Sequence, residues 1–248
     1  MIENTICTYC RTPIIKAKNL PNSRSVEHLI PNAALTRKRQ NDEGDFYACR
    51  KCNTRKSHID NILGKVTKMQ SSDNVLAADT LINEITKESR SSKRFIEMLG
   101  TTREYSDQVE FTIPIEGYEL IEYMTFLGKG QYLKKTGRVF NEKTHVMRLE
   151  YANKHVFITL EAGYRQKNES SPFRDLEKNP YSEVVNGGQC IIWSKNNKYL
   201  FIFHDNTAVI IEIMKRNRKN VEKSQKSVHY ILTNFRHHNP RSLATHRS

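Results

Sequence analysis

Four of the five cysteines fall into two matched pairs, Cys7-Thr8-Tyr9-Cys10 and Cys49-Arg50-Lys51-Cys52, and nothing else in the chain limits its folding as strongly. Two intervening residues let both thiolates of a pair reach one tetrahedral ion at about 2.3 Å. In a reducing compartment such pairs favour structural zinc over disulfides, with unrelated free thiols or a redox pair as the alternatives. A four-cysteine zinc clasp ties residues 7–10 to residues 49–52 and closes the chain between them into a loop. The fifth, Cys190, stands alone within an apolar strand pattern.

Inside that loop "TPIIKAKN" and "SVEHLIP" read as short strands or strand ends, broken by Pro13, Pro21 and Pro31. Residues 32–48 read as a mostly exposed, charged connection. From Cys49 onward Ile59, Ile62, Leu63 and Val66 recur at i, i+3, i+4 and i+7, which predicts a helix with Asn53 near its start. The expected order is strand, loop, strand, helix, pinned by a metal.

The first Cys-x-x-Cys, then "VEHLIP", then "CRKCNTRK" resembles the HNH endonucleases of the ββα-metal fold, in the subgroup with a four-cysteine zinc site. The resemblance covers about residues 5–65. It implies that Glu27 and Asn53 bind a catalytic divalent ion, magnesium or manganese, and that His28 activates water as the general base.

The chemistry agrees with those residue types. Hydrolysis of a phosphodiester needs a base for the attacking water and a cation for the charge that builds on phosphorus and the leaving oxygen. A histidine, with an ordinary pKa of about 6.5, can take a proton at neutral pH. Glu27 and Asn53 supply hard oxygen ligands. Neighbouring side chains of a strand point to opposite faces, so Glu27 and His28 can address different groups only where the strand twists or ends. Lys56 shares a helical face with Asn53 and is expected to contact a phosphate. His58 reads as a partly exposed phosphate contact or cap, and His237 and His238 as solvated.

One position departs from the family pattern. The middle Asn that tethers the histidine is absent, and the segment reads "EGDFYAC" with Gly44 and Asp45. Asp45 can accept the same tethering hydrogen bonds; the alternative is a backbone carbonyl acting alone. A zinc-clasped nucleic-acid-binding protein that no longer cuts is therefore the competing expectation.

The net charge of +13 is concentrated at the ends. Residues 1–68 hold 13 Lys/Arg against 6 Asp/Glu, residues 215–248 hold 9 against 1, and the middle is close to neutral. Basic ends suit a polyanion, because each neutralised phosphate releases condensed counterions. Arg37, Lys38 and Arg39 are the expected nucleic-acid contacts beside Lys56, with double-stranded DNA as the expected partner. No apolar run is long enough for a membrane span and "MIENTICTYC" lacks a signal-peptide pattern, so no membrane partner and a cytoplasmic location are expected.

Beyond the zinc module, Val75, Ala78, Ile82 and Ile85, then Phe95, Ile96 and Leu99, predict one or two helices. "YELIEYMTFLGKGQYLKKTGRVF" predicts an amphipathic helix ended by glycines. Period-two alternation predicts antiparallel strands at Val109, Phe111 and Ile113, at Val156, Ile158 and Leu160, at Leu200 and Ile202, and at Val209, Ile211 and Ile213, with turns at "KNNK" and "HDNT". His204-Asp205 is expected to serve that turn, "YRQKNESSPFRDLEKNPYSE" a loop, and "KRNRKNVEKSQK" a helix end or a flexible basic strip. The fold class is α+β: a zinc-clasped ββα module at 1–68, a helical linker at 69–100, an α+β recognition or regulatory domain with an antiparallel sheet at 101–214, and a basic segment at 215–248. The expected function is a metal-dependent DNA endonuclease of restriction, antiphage defence or a mobile element, with a homodimer or a partner protein engaged through the C-terminal domain.

Overall fold

The computed structural model describes residues 1–235 except 87–89, 102, 106–107, 111–114, 154–155, 157–158, 160–161, 164–165, 167–175 and 206. Strand β1 (Arg24–Glu27) pairs antiparallel with β2 (Phe46–Cys49), and helix α1 (Arg50–Met69) follows β2 directly. Cys49 closes the strand and caps the helix, its Sγ accepting the Cys52 N–H at 3.5 Å. Ile59, Ile62, Leu63 and Val66 are all buried, as their spacing predicts.

The segment 32–48 is less exposed than its charge suggests. Two short 3-10 turns, Asn32–Ala34 and Asn41–Glu43, lead into β2, every residue of which is buried. Phe46 faces the core, while Tyr47 on the other face is covered by the Arg24 guanidinium 3.3 Å from its ring centre. Asn4 brackets the Tyr47 main chain with hydrogen bonds of 2.8 and 2.9 Å.

Two helices follow, α2 (Asn74–Ile85) and α3 (Arg90–Leu99). They do more than link: Leu81, Phe95 and Met98 pack on Ile62, Val66 and Met69 of α1. The apolar residues that identify α2 in the sequence do not make this contact, since Val75, Ile82 and Ile85 are exposed. Strands β3 (Arg103–Tyr105) and β4 (Gln108–Glu110) form a separate hairpin; Phe111 and Ile113 lie outside the described residues.

Helix α4 (Gly117–Thr136) is the shared spine. Residues two apart on a helix lie about 200° around it, so Gly128 and Gly130 face opposite ways. A Cβ at Gly130 would stand 2.5 Å from Leu29 and 2.9 Å from Phe46, and one at Gly128 would stand 3.0 Å from Ile211 and Met147. The helix is thus thin on both sides, and the N-terminal module and the large sheet close onto it into one continuous apolar core.

That sheet is antiparallel with order β5 (His145–Ala152), β9 (Thr207–Lys215), β8 (Lys198–Phe203), β7 (Cys190–Lys195), β6 (Ser182–Val185). The "KNNK" turn is a two-residue hairpin with Asn196 and Asn197 at φ of 51° and 59°. The strand expected around Val156 is corrected: Val156 is helical, and Ile158 and Leu160 lie outside the described residues. The loop read at "YRQKNESSPFRDLEKNPYSE" also lies mostly outside the described residues, as do His237 and His238.

Helix α5 (Arg218–Asn234) gives the basic segment a defined form. It covers the edge of β5, where Ser224 Oγ donates to the Met147 carbonyl (2.5 Å) and Ser227 Oγ accepts the Leu149 N–H (3.2 Å). Backbone groups that an edge strand leaves unpaired are satisfied by two serines. No helix among the described residues is long and apolar enough to cross a membrane.

Candidate active-site cleft and metal centre

The Sγ atoms of Cys7, Cys10, Cys49 and Cys52 all lie within 4.8 Å of one another. A tetrahedral ion with bonds of about 2.3 Å needs sulfurs about 3.8 Å apart, and Cys10 and Cys49 stand at 3.7 Å. The first pair is shaped by a tight turn in which Arg11, at φ of 64°, donates its N–H to the Cys7 carbonyl at 2.9 Å. The hydrogen bond from Cys52 draws the Cys7 thiol down to about 4, whereas burial pushes Cys49 up to about 11 and the bond to Cys7 raises Cys52. Four sulfur donors in this geometry fit a metal ion such as zinc. Cys190 is buried in β7 and takes no part.

Beside this centre lies a cleft of about 740 Å³ lined by Glu27, His28, Asn53 and Asp60, by Lys38, Lys65 and Lys68, and by Thr80, Asn83 and Glu84 of α2. One wall is the segment 31–36, which lies hard against α1 because Gly64 lacks a side chain: a Cβ there would stand 2.6 Å from the Ala34 nitrogen. The far side of that wall is gripped by the large sheet. His204 Nε2 donates to the Ala34 carbonyl at 2.7 Å, and Gln189 Oε1 accepts the Thr36 N–H at 2.8 Å. His204 and Asp205 have positive φ, 49° and 63°, so the pair does form the turn, and its imidazole is in addition a brace.

Asn53, in the first turn of α1, donates its Nδ2 to the Val26 carbonyl at 2.7 Å, which turns Oδ1 away from β1. Glu27 ends β1 and is 3 % exposed, its Oε1 2.9 Å from the Lys56 ammonium. Lys56 also reaches Asp60 at 2.8 Å and the His28 carbonyl at 3.2 Å. The expected phosphate contact at Lys56 is therefore corrected: the side chain is wholly buried and its three donors are spent inside the protein. One ammonium serves two carboxylates. Burial pushes Glu27 up and Asp60 up to about 7, against the attraction of Lys56, and Asp60 Oδ1 has no hydrogen-bond partner. Asn53 lines the same cleft as the two carboxylates.

His28 follows the last residue of β1, where the strand's alternation no longer constrains it. It is half-buried, and burial, with Arg39 and Lys56 nearby, holds its pKa below the ordinary value. Its Nδ1 is buried with no partner among the described residues, so none of their carbonyls tethers the ring. Asp45 braces the main chain instead: its N–H donates to the Glu27 carbonyl at 2.8 Å and its Oδ2 accepts the Leu29 N–H at 2.8 Å. Arg39 at 3.2 Å and Lys134 of α4 at 2.9 Å pair with Asp45 and hold its carboxyl below the usual range although burial raises it.

The basic run divides. Arg37 is exposed and paired with Glu43 at 2.9 Å, and Lys38 is exposed on the cleft. Arg39 is corrected from a nucleic-acid contact to an internal brace, since it turns inward to the Ile30 carbonyl at 2.8 Å and to Asp45. His58 is exposed. The sequence reading missed Asp60, Lys134 and the contact of His204 with Ala34. Asp60 alone had a signal, standing seven residues after Asn53 and four after Lys56 on the same helical face. Comparison of the chain with protein-family models, with characterised proteins and with solved structures gave no match.

Proposed function

We propose that the cleft is the active site of a divalent-metal-dependent endonuclease that hydrolyses phosphodiester bonds in DNA, of the HNH kind that the sequence resembles. The observation that carries this is that Glu27, His28 and Asn53 line one cleft, next to a four-cysteine centre and among the lysines Lys38, Lys65 and Lys68. His28 is neutral at neutral pH and takes the proton of an attacking water. Asp45 fixes the backbone on either side of it. Glu27 and the Asn53 Oδ1 would hold magnesium or manganese, which would supply charge stabilisation for the departing oxygen. Lys38 and Lys68 attract the phosphate backbone. Restriction, antiphage defence or a mobile element is the setting that goes with such an enzyme.

One observation favours the competing role of a zinc-clasped nucleic-acid-binding protein that does not cut: Glu27 is already paired with the buried Lys56. Supercoiled plasmid incubated with the protein separates the two. The nuclease nicks it when magnesium or manganese is added and not without them, and Glu27→Ala or Asn53→Ala raises the metal concentration required or ends the reaction. A protein that retards plasmid without nicking it under either ion is the binding protein.

A further inference from the structure

Helix α5 carries a second basic surface that shares no residue with the cleft. Lys219, Lys223, Lys226 and Tyr230 recur at i, i+4, i+7 and i+11, which on a helix makes one stripe, and all four are exposed. The neighbouring face, about 100° round the helix, is spent on β5 through Ser224 and Ser227 and on the core through Ile231. Between the stripe and β5 runs a groove of about 520 Å³ whose lining includes Arg148, Glu150, Tyr151, Lys223, Lys226 and Tyr230.

The charges in this groove do not balance internally. Arg148 is shared with Glu150 and Glu212, and Glu222 is paired with Arg218 at 3.2 Å. Lys223 and Lys226 have no acidic partner among the described residues. The Tyr151 ring is held edge-on by Phe235 at 5.5 Å. Tyr230 is 65 % exposed, a large ring with a bare face.

We infer that this groove binds single-stranded nucleic acid, with the phosphates along Lys219, Lys223 and Lys226 and a base stacked on Tyr230. Paired lysines and an exposed ring are the two elements of a single-strand site, one reading charge and the other the π-face that every base has. A duplex keeps its base faces stacked inward and offers Tyr230 nothing to stack on. The site lies outside the cleft and stands whether or not the cleft cuts.

Fluorescence anisotropy with the full-length protein carrying His28→Ala, which leaves the probes intact, tests this. The probes are a labelled single strand of about 12 nucleotides as DNA, the same sequence as RNA, and the DNA duplex. The single strand is expected to bind, as DNA, RNA or both, the two arms showing whether the sugar matters. Lys223→Glu with Lys226→Glu should weaken that binding at least about tenfold and lower its salt slope by about 1.4, the loss of two single-strand phosphate contacts. Tyr230→Ala should weaken it by about tenfold and Tyr230→Phe far less, with circular dichroism unchanged because these side chains are exposed. Single-strand affinity unchanged in these variants, absent altogether, or surpassed by a duplex affinity that the same variants abolish would overturn the inference.

Discussion

The two sides of the cleft are held in different ways. The α1 side is built from residues close in sequence, the Cys49 and Cys52 pair, Asn53, Lys56 and Asp60 following one another along about three turns of helix. The opposite wall, residues 31–36, is a short irregular segment held by groups 153 and 170 residues away, Gln189 on Thr36 and His204 on Ala34. One side is stabilised by charge clusters within a single module. The other depends on a sheet that a sequence-based division assigns to a separate domain. The site therefore draws on both the N-terminal module and the large sheet.

Removing the metal centre should break the α1 side most severely. Cys49→Ser is expected to lose about one bound zinc per chain by elemental analysis, and with it several kcal/mol of stability, since structural zinc binds with about 10–16 kcal/mol in small domains. A wild-type protein that is fully folded without metal would show that the thiols do not act as a clasp.

Next in size is the ammonium beneath the cleft. Lys56→Met leaves Glu27 and Asp60 buried without their cation and should cost about 3–5 kcal/mol in denaturant unfolding. Adding Asp60→Asn to that variant should recover part of the loss. Equal stability of Lys56→Met and the parent would mean that the carboxylates are solvated and the two-sided contrast is overdrawn.

Why the α1 side was readable and the other was not follows from where the information sits. Cys-x-x-Cys spacing and the i, i+3, i+4 recurrence of Ile59, Ile62 and Leu63 are local, and both appear in the fold. Lys56 was misread because exposure depends on tertiary packing: helical spacing gave its face and could not give the burial of that face. Arg39 was misread for the same reason, its charge being drawn inward to Asp45, the carboxylate that Lys134 also pairs with. The exposed apolar residues of α2 show the converse, a correct helix with its apolar face turned away from α1. The 34–36 wall had no signal, because His204 and Gln189 become neighbours of it only once the sheet has closed on α4.

The sheet side should give the smallest effect, and one that depends on pH. Burial lowers the pKa of His204, so folding favours its neutral ring. The stability this contributes is present above the unfolded value of about 6.5 and is lost as pH falls through it toward the folded value. His204→Ala should cost about 1 kcal/mol at about pH 8 and flatten the decline in stability between about pH 8 and about pH 5. An undiminished decline would assign it to other groups and leave the grip on Ala34 without energetic weight.

The most direct measurement is the rate of plasmid nicking by His28→Ala beside the parent, under saturating magnesium or manganese. The expected result is a loss of several orders of magnitude in rate with zinc content, folding and DNA affinity nearly unchanged, because only the group that activates water has gone. Cleavage by His28→Ala as fast as by the parent would contradict the mechanism, and a parent that cuts no DNA with either ion would contradict the assignment of the cleft as a nuclease site.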